Sequence, residues 1–263
     1  MTRCLFCKRD SSGSKSAEHI IPESLGNTKQ LLPPGVVCDA CNNYFSREIE
    51  KPFLEAPAIA ALRFHQTVPS KRGRLPSIPA ILDPEFPAAL HKDLKSRLTV
   101  LSLEPKGVQH LLRTPGGTLW LPGADKPPPD LVVSRFLAKA GLEAMAQRVQ
   151  QFPQGLSYLV DETQLDPIRR HAREGFPKFW PYNVRRIYDP DRHFPNETGK
   201  EVQTIHEYDI LRTTANEWYF VVAIFGLELA INYGGPEIEG YHVWLKAHVG
   251  TSPLYPASSA PPR

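Results

Sequence analysis

The sequence predicts an α+β protein in which a small N-terminal module is fused to a larger domain. Three observations carry this. All four cysteines of the 263-residue chain fall before residue 42, as two Cys-x-x-Cys pairs, Cys4/Cys7 and Cys38/Cys41. Apolar residues recur with helical period over residues 131–150, entered through Pro127-Pro128-Pro129-Asp130. Short runs rich in β-branched and aromatic residues, split by turn signals, fill residues 98–121 and 202–248.

The N-terminal segment is the most constrained. Four thiolates form a closed tetrahedral set for one structural Zn²⁺, and two Cys-x-x-Cys hooks supply them. No cysteine remains for a disulfide. Between the hooks lies Ala17-Glu18-His19-Ile20-Ile21-Pro22, and Asn42 follows the last cysteine. Residues 17–21 read as a short strand and residues 35–38 as a second. A helix is expected from about residue 41 to residue 50, limited by Pro52. On a 3.6-residue period Asn42, Phe45 and Ile49 share one stripe, while Asn43, Arg47 and Glu50 share another that reads as solvated. Phe45 and Ile49 should pack on the hairpin and carry Asn42 toward the strand of His19. Strand alternation sends Glu18 and His19 to opposite faces, so both approach one metal only if the strand end twists or bulges.

The order Cys-x-x-Cys, Glu-His-Ile-Ile-Pro, Gly-Asn, Cys-x-x-Cys-Asn resembles the zinc-containing HNH endonucleases, a branch of the ββα-metal (His-Me finger) nucleases, over residues 1–55. The resemblance implies a zinc-stapled ββα-metal module with Cys4, Cys7, Cys38 and Cys41 on the structural zinc. It implies that His19 is the general base, that Glu18 and Asn42 hold a catalytic Mg²⁺ or Mn²⁺, and that Asn27 steadies the loop between the strands. It implies nucleic acid as partner, DNA first, hydrolysed at the 3′-oxygen–phosphorus bond to leave a 5′-phosphate. Glu18 stands where Asp is usual, and Asn42 stands where His is common. The chemistry suits the residue types: a neutral imidazole, with a reference pKa of about 6.5, can take a proton from water. Mg²⁺ takes oxygen ligands and neutralises charge on a phosphate.

Composition narrows the alternatives. No run approaches the 18 apolar residues of a membrane span; the longest, residues 218–225, reads as a buried strand. The N-terminus lacks a signal-peptide pattern, and a zinc–thiolate site suits a reducing compartment, so a cytoplasmic location is expected. Net charge is only +3, and residues 1–50 carry six Lys/Arg against six Asp/Glu. Phosphate attraction must then come from the bound ion and from local clusters: Lys71-Arg72-Gly73-Arg74, Arg169-Arg170-His171 or Arg185-Arg186.

The expected organisation is a nuclease module at 1–55, an α+β domain at 56–250 with a Pro-rich connection at about 69–87, and a disordered tail at 251–263. Within the larger domain, residues 57–67 and 166–173 read as helices. Residues 98–103, 108–113 and 118–121 read as strands of an antiparallel meander, separated by the turns Pro105-Lys106-Gly107 and Pro115-Gly116-Gly117, and residues 131–150 as the strongest helix, with Asp130 as N-cap. Arg135, Lys139, Glu143 and Arg148 interrupt that helix's apolar surface, which marks a core helix and not a membrane segment. Residues 183–188, 202–212, 217–226, 227–233 and 241–248 read as a β-rich end. Asp189-Pro190-Asp191-Arg192-His193 reads as a polar loop. The larger domain is the candidate seat of sequence specificity, of a ligand sensor regulating the nuclease, or of a homodimer contact. A zinc-dependent nucleic-acid or protein-binding module without cleavage is the alternative function.

Overall fold

The computed structural model describes residues 2–114, 116–195 and 198–255. In chain order the elements are β1 (Glu18–His19), β2 (Leu31–Leu32), α1 (Asp39–Phe45), a π-helical turn (Ser46–Glu50), α2 (Lys51–Glu55), α3 (Pro57–His65), β3 (Ile78–Leu82), β4 (Phe86–Lys92), β5 (Thr99–Leu103), α4 (Pro105–Arg113) and β6 (Leu119–Trp120). There follow α5 (Asp130–Val149), α6 (Gly155–Asp161), α7 (Asp166–Glu174), β7 (Tyr182–Arg186), β8 (His193–Pro195), β9 (Glu201–Gln203), β10 (His206–Arg212), β11 (Trp218–Ile224), β12 (Leu227–Asn232) and α8 (Glu239–Ala247). The architecture is α+β, with antiparallel pairing throughout the described strands. The chain forms two compact units, one of residues 1–22, 27–51 and 129–263, the other of residues 23–26 and 52–128.

In the first unit, β10-β11-β12-β7 form one sheet. Phe220 and Tyr233 lie against Gly141 of α5, where an added Cβ would meet the Phe220 Cβ at 3.0 Å and its Cγ at 3.1 Å. The Tyr233 hydroxyl donates to the Gly141 carbonyl at 2.7 Å. On the other face Tyr219, Val221 and Ala230 pack with Ile238 and Tyr241 of α8. Covered on both faces, β11 needs no polar alternation, which explains its continuous apolar run. Residues 241–248 were expected as a strand and are helix instead. Tyr241 alone of this helix is fully buried, Leu245 packs beside it on the same cluster, and His242, Val243 and Lys246 are exposed, so a one-sided helix over the sheet satisfies the apolar content. Of the expected tail, residues 251–255 are packed: the Tyr255 hydroxyl donates to Glu207 Oε1 at 2.6 Å and Ser252 bonds Glu228. Residues 256–263 lie outside the described residues.

The second unit is a β5-β4-β3-β6 sheet with α3 packed on β3 through Ala61, Phe64 and Ile78. Two expectations fail here. Residues 78–82 and 86–87, assigned to a Pro-rich connection, are strands. Ile78, Ala80 and Leu82 alternate inward, and Pro79 and Pro87 keep extended backbone. Residues 108–113, expected as a strand, belong to α4. Pro105 occupies the first helical turn, where its missing N–H costs nothing, and so starts a helix instead of a turn.

A buried histidine makes a test of the larger fold. His171 is fully buried on α7, with Nδ1 2.7 Å from the Pro177 carbonyl and Nε2 3.0 Å from Ser134 Oγ. Burial lowers its pKa, opposed by the Pro177 bond. The unfolded chain therefore binds the proton more readily, so the contribution of neutral His171 is complete above about pH 6.5 and is lost as pH falls through its depressed folded value. Urea unfolding free energy should drop between pH 7.5 and 5.5, and His171→Gln should shrink that drop.

Candidate metal centre and active site

The first hook is a tight turn. Lys8 N–H donates to the Cys4 carbonyl at 2.9 Å with Lys8 at φ 59°, and Leu5 N–H reaches the Val36 carbonyl at 2.8 Å. The second hook opens α1, with Cys38 as its N-cap and its sulfur accepting from Cys41 N–H at 3.5 Å. Cys38 N–H in turn donates to Cys4 Sγ at 3.3 Å. All four sulfurs lie within 4.8 Å of one another, and those of Cys7 and Cys38 are 3.7 Å apart. A tetrahedron with Zn–S of 2.3 Å has edges of about 3.8 Å, so the set fits one zinc ion. The Cys41 thiol hydrogen-bonds the Cys4 sulfur and holds its pKa down to about 4 against the desolvation of burial. The same bond, burial and the neighbouring sulfurs push Cys41 up. Four clustered thiols therefore resist ionising together, and a dication removes that conflict.

Around this staple, β1 and β2 pair with Glu18 opposite Leu32 and His19 opposite Leu31. The second strand is residues 31–32 and not the expected 35–38, because Pro33-Pro34 and Gly35, at φ +93°, make that stretch a turn that returns the chain to the cysteines. Asn27 is buried in the connection between the strands. Its Nδ2 donates to the carbonyls of Ile21 (2.7 Å) and Gln30 (2.9 Å), and its Oδ1 accepts from Lys29 N–H (3.1 Å) and Gln30 N–H (2.8 Å). A turn residue that bonds four backbone groups fixes its loop.

Helix α1 is stapled to the strand that carries His19. Asp39, in its first turn, accepts from Ser16 N–H at 3.0 Å and Lys15 N–H at 3.2 Å, and these bonds lower its pKa. Asn42 Nδ2 donates to the Ala17 carbonyl at 3.3 Å. Phe45 and Ile49 are buried beneath, with the Phe6 ring 4.4 Å from that of Phe45. Asn42 thus stands against the residue two positions before His19. His19 is half-buried, while Glu18 is only 4% exposed and faces the interior.

Glu18 enters a buried cluster that the sequence did not announce. Lys139 on α5 is fully buried, its Nζ 2.6 Å from Glu18 Oε1, 2.6 Å from Glu50 Oε1 and 3.0 Å from Glu143 Oε2. The same ammonium donates to the His19 carbonyl at 3.0 Å. Burial raises the pKa of both Glu18 and Glu143, with Lys139 opposing. Burial would lower that of Lys139, but Glu143, Glu18 and Glu50 overcome it, so the ammonium stays charged. Glu50 was expected on a solvated stripe. Pro52 offers no N–H and its ring crowds the carbonyl four residues back, so the helix widens into a π-turn ahead of it, with Lys51 N–H bonding Ser46 O. The extra residue in that turn swings Glu50 inward. The helix continues through Glu55 instead of ending at Pro52. Lys139 and Glu143, expected as breaks in the apolar surface of α5, are inside it; the only sequence signal was their i, i+4 spacing among alanines and leucines.

Two of the three basic clusters are largely engaged within the fold, with Arg170 left exposed and paired to Glu174. Arg169 is buried and bonds the carbonyls of Leu5 (3.0 Å) and Glu162 (2.8 Å), and His171 is buried beside it. Arg185 pairs with Glu228, and Arg186 donates to the Phe225 carbonyl at 2.8 Å. Residues 71–74 are exposed. Among the described residues the four cysteines are the single cluster of potential metal ligands of three or more, and residues 189–192 form a loop that leads into β8 at His193.

Residues 4–57 match the family model described as HNH endonuclease. No curated protein and no solved structure matches the chain. An HNH module thus occupies the N-terminal end of a larger α+β chain, with the cysteine cluster inside the matched segment. At the level of that family the match implies nuclease chemistry, a nucleic-acid substrate and a divalent metal. No described helix is long and apolar enough to cross a membrane.

Proposed function

We propose that the chain is a metal-dependent endonuclease that hydrolyses DNA, with His19 as general base. The observation that carries this is the double staple between α1 and the His19 strand, Asp39 to residues 15–16 and Asn42 to Ala17, which sets an amide oxygen beside the strand of the imidazole. Asn42 spends its Nδ2 on Ala17, so Oδ1 is its atom for a Mg²⁺ or Mn²⁺ ion. Glu18 is the second ligand candidate through Oε2, a buried oxygen with no hydrogen-bond partner among the described residues. When bound, that ion supplies positive charge to the scissile phosphate and the leaving 3′ oxygen. His19 takes a proton from the attacking water, and Asn27 holds the loop that follows His19. The zinc on the four cysteines is structural, since it keeps no open position. A reducing cytoplasm would preserve its thiolates.

Residues 56–250 are proposed to choose the substrate. Lys71, Arg72 and Arg74 are the exposed cations suited to phosphate contact. A homodimer would bring two sites to two strands, and linear product formed in proportion to the square of protein concentration would report it. The second reading, a zinc-dependent binding module without cleavage, draws support from the engagement of Glu18 by Lys139, which thins the set of ion ligands. One assay separates the two. With Mg²⁺ or Mn²⁺, wild-type protein should nick supercoiled plasmid and His19→Ala should not. Binding of the plasmid without nicking by either protein would favour the second reading.

A further inference from the structure

The catalytic strand and the Asn42 helix are joined by one buried cation that comes from far along the chain. Lys139 Nζ is within 2.6–3.0 Å of the His19 carbonyl, Glu18 Oε1 and Glu50 Oε1. Its bond to the His19 carbonyl fixes the peptide plane leaving the proposed base, and so the direction in which His19 presents its ring. Its bond to Glu50 fixes the far end of the helical segment that begins at Asp39 and carries Asn42. The π-turn Ser46–Glu50 serves this contact, because it brings Glu50 inward where a regular helix would turn it out. Fully buried ammoniums are rare unless paired, and mere packing would be met by methionine at this position. Arg185 with Glu228 and Arg169 with Asp166, the other deeply placed ion pairs, touch neither β1 nor the segment from Asp39 to Glu50. Lys139 bonds both.

We infer that Lys139 is a positioning residue of the nuclease site, a single buried ammonium that holds the His19 strand and the Asn42 helix in one register. The inference rests on the nuclease reading of His19 for its kinetic consequence, but its structural consequence stands apart. It also means that α5 completes the site: the N-terminal module carries the chemistry, and the larger domain fixes its geometry.

The experiment compares full-length wild type, Lys139→Met, His19→Ala and Tyr233→Phe. The last is a packing control that removes the bond from Tyr233 to Gly141 on the same helix. Each is assayed on supercoiled plasmid with Mn²⁺ at temperatures below its unfolding transition, with zinc content and amide exchange measured alongside. Lys139→Met should keep one zinc per chain and lose kcat at least tenfold with KM for plasmid within twofold. It should also speed exchange of the Ile20 amide, which bonds the Gln30 carbonyl across the hairpin. Tyr233→Phe should keep kcat within twofold. A folded Lys139→Met with wild-type kcat and wild-type Ile20 exchange overturns the inference. If Lys139→Met does not fold, Glu50→Met decides in its place, since it removes the acceptor that links Lys139 to the helix and leaves the other partners of Lys139 intact: a threefold or greater fall in kcat supports the role, and an unchanged kcat overturns it. Equal nicking by wild type and His19→Ala sinks the nuclease reading instead; Ile20 exchange then still decides for or against Lys139.

Discussion

His19→Ala should lower the rate of plasmid nicking by about 10²–10⁴-fold, the range supplied by a positioned general base. The loss should fall on kcat. In the proposed site substrate is held by phosphate contacts and by the divalent ion, neither of which the methyl side chain disturbs, so KM for DNA should move little. Zinc content should stay at one per chain, because the sulfurs are held by their own turns and by the Cys38 cap. Removing the ring also leaves a space at a half-buried strand position, so added imidazole should restore part of the rate. Unchanged nicking in the variant would mean that the base lies elsewhere, and the reading would fall.

The parts of the site that lie close in sequence were legible, and the parts that depend on distant packing were not. Asn42 and Phe45 could be placed on one stripe because 3.6-residue spacing holds as far as Phe45, and Ile49 stays buried although it lies in the π-turn. Glu50 was misplaced because Pro52 widens the next turn, an effect no propensity scale carries. The opposite orientation of Glu18 and His19 follows from strand alternation, but what waits for Glu18 inside could not be read. Its partner, Lys139, lies 121 positions further on, in a helix whose apolar period made it look like an interruption. Local rules also erred where proline has two meanings. Pro105 starts a helix where it was taken for a turn, while Pro79 and Pro87 sit in strands where they were taken for a linker. Arginine clusters misled for a related reason: Arg169 and Arg185 bond backbone carbonyls and a buried carboxylate, and only contacts distinguish that use from phosphate binding.

Loss of zinc should have the largest effect on structure. Cys4 is fully buried and accepts the Cys38 amide, so Cys4→Ser replaces a thiolate with a shorter, weakly ligating hydroxyl at the point where the two hooks meet. Zinc should fall from about one per chain to near zero. Binding of a structural zinc is worth on the order of 10 kcal/mol of apparent folding free energy, comparable to the whole stability of a typical domain of about 5–15 kcal/mol. The hairpin that the zinc supports has two-residue strands and cannot replace that sum. Unfolding should nevertheless be local at first. Tyr219, Phe220 and Val221 in β11 are sealed by α5 and α8 without help from the cysteines, so their amides should stay protected while those of Leu5 and Asn42 exchange freely. The consequence then reaches α5. Once β1 leaves, Lys139 loses Glu18 and the His19 carbonyl, and a buried ammonium with fewer partners destabilises the helix that holds it. Chelation of the wild-type protein should reproduce the same pattern, reversed by added Zn²⁺. A Cys4→Ser protein that still bound a full equivalent of zinc, or a chelated one that kept Leu5 and Asn42 protected, would show that the module stands without its metal.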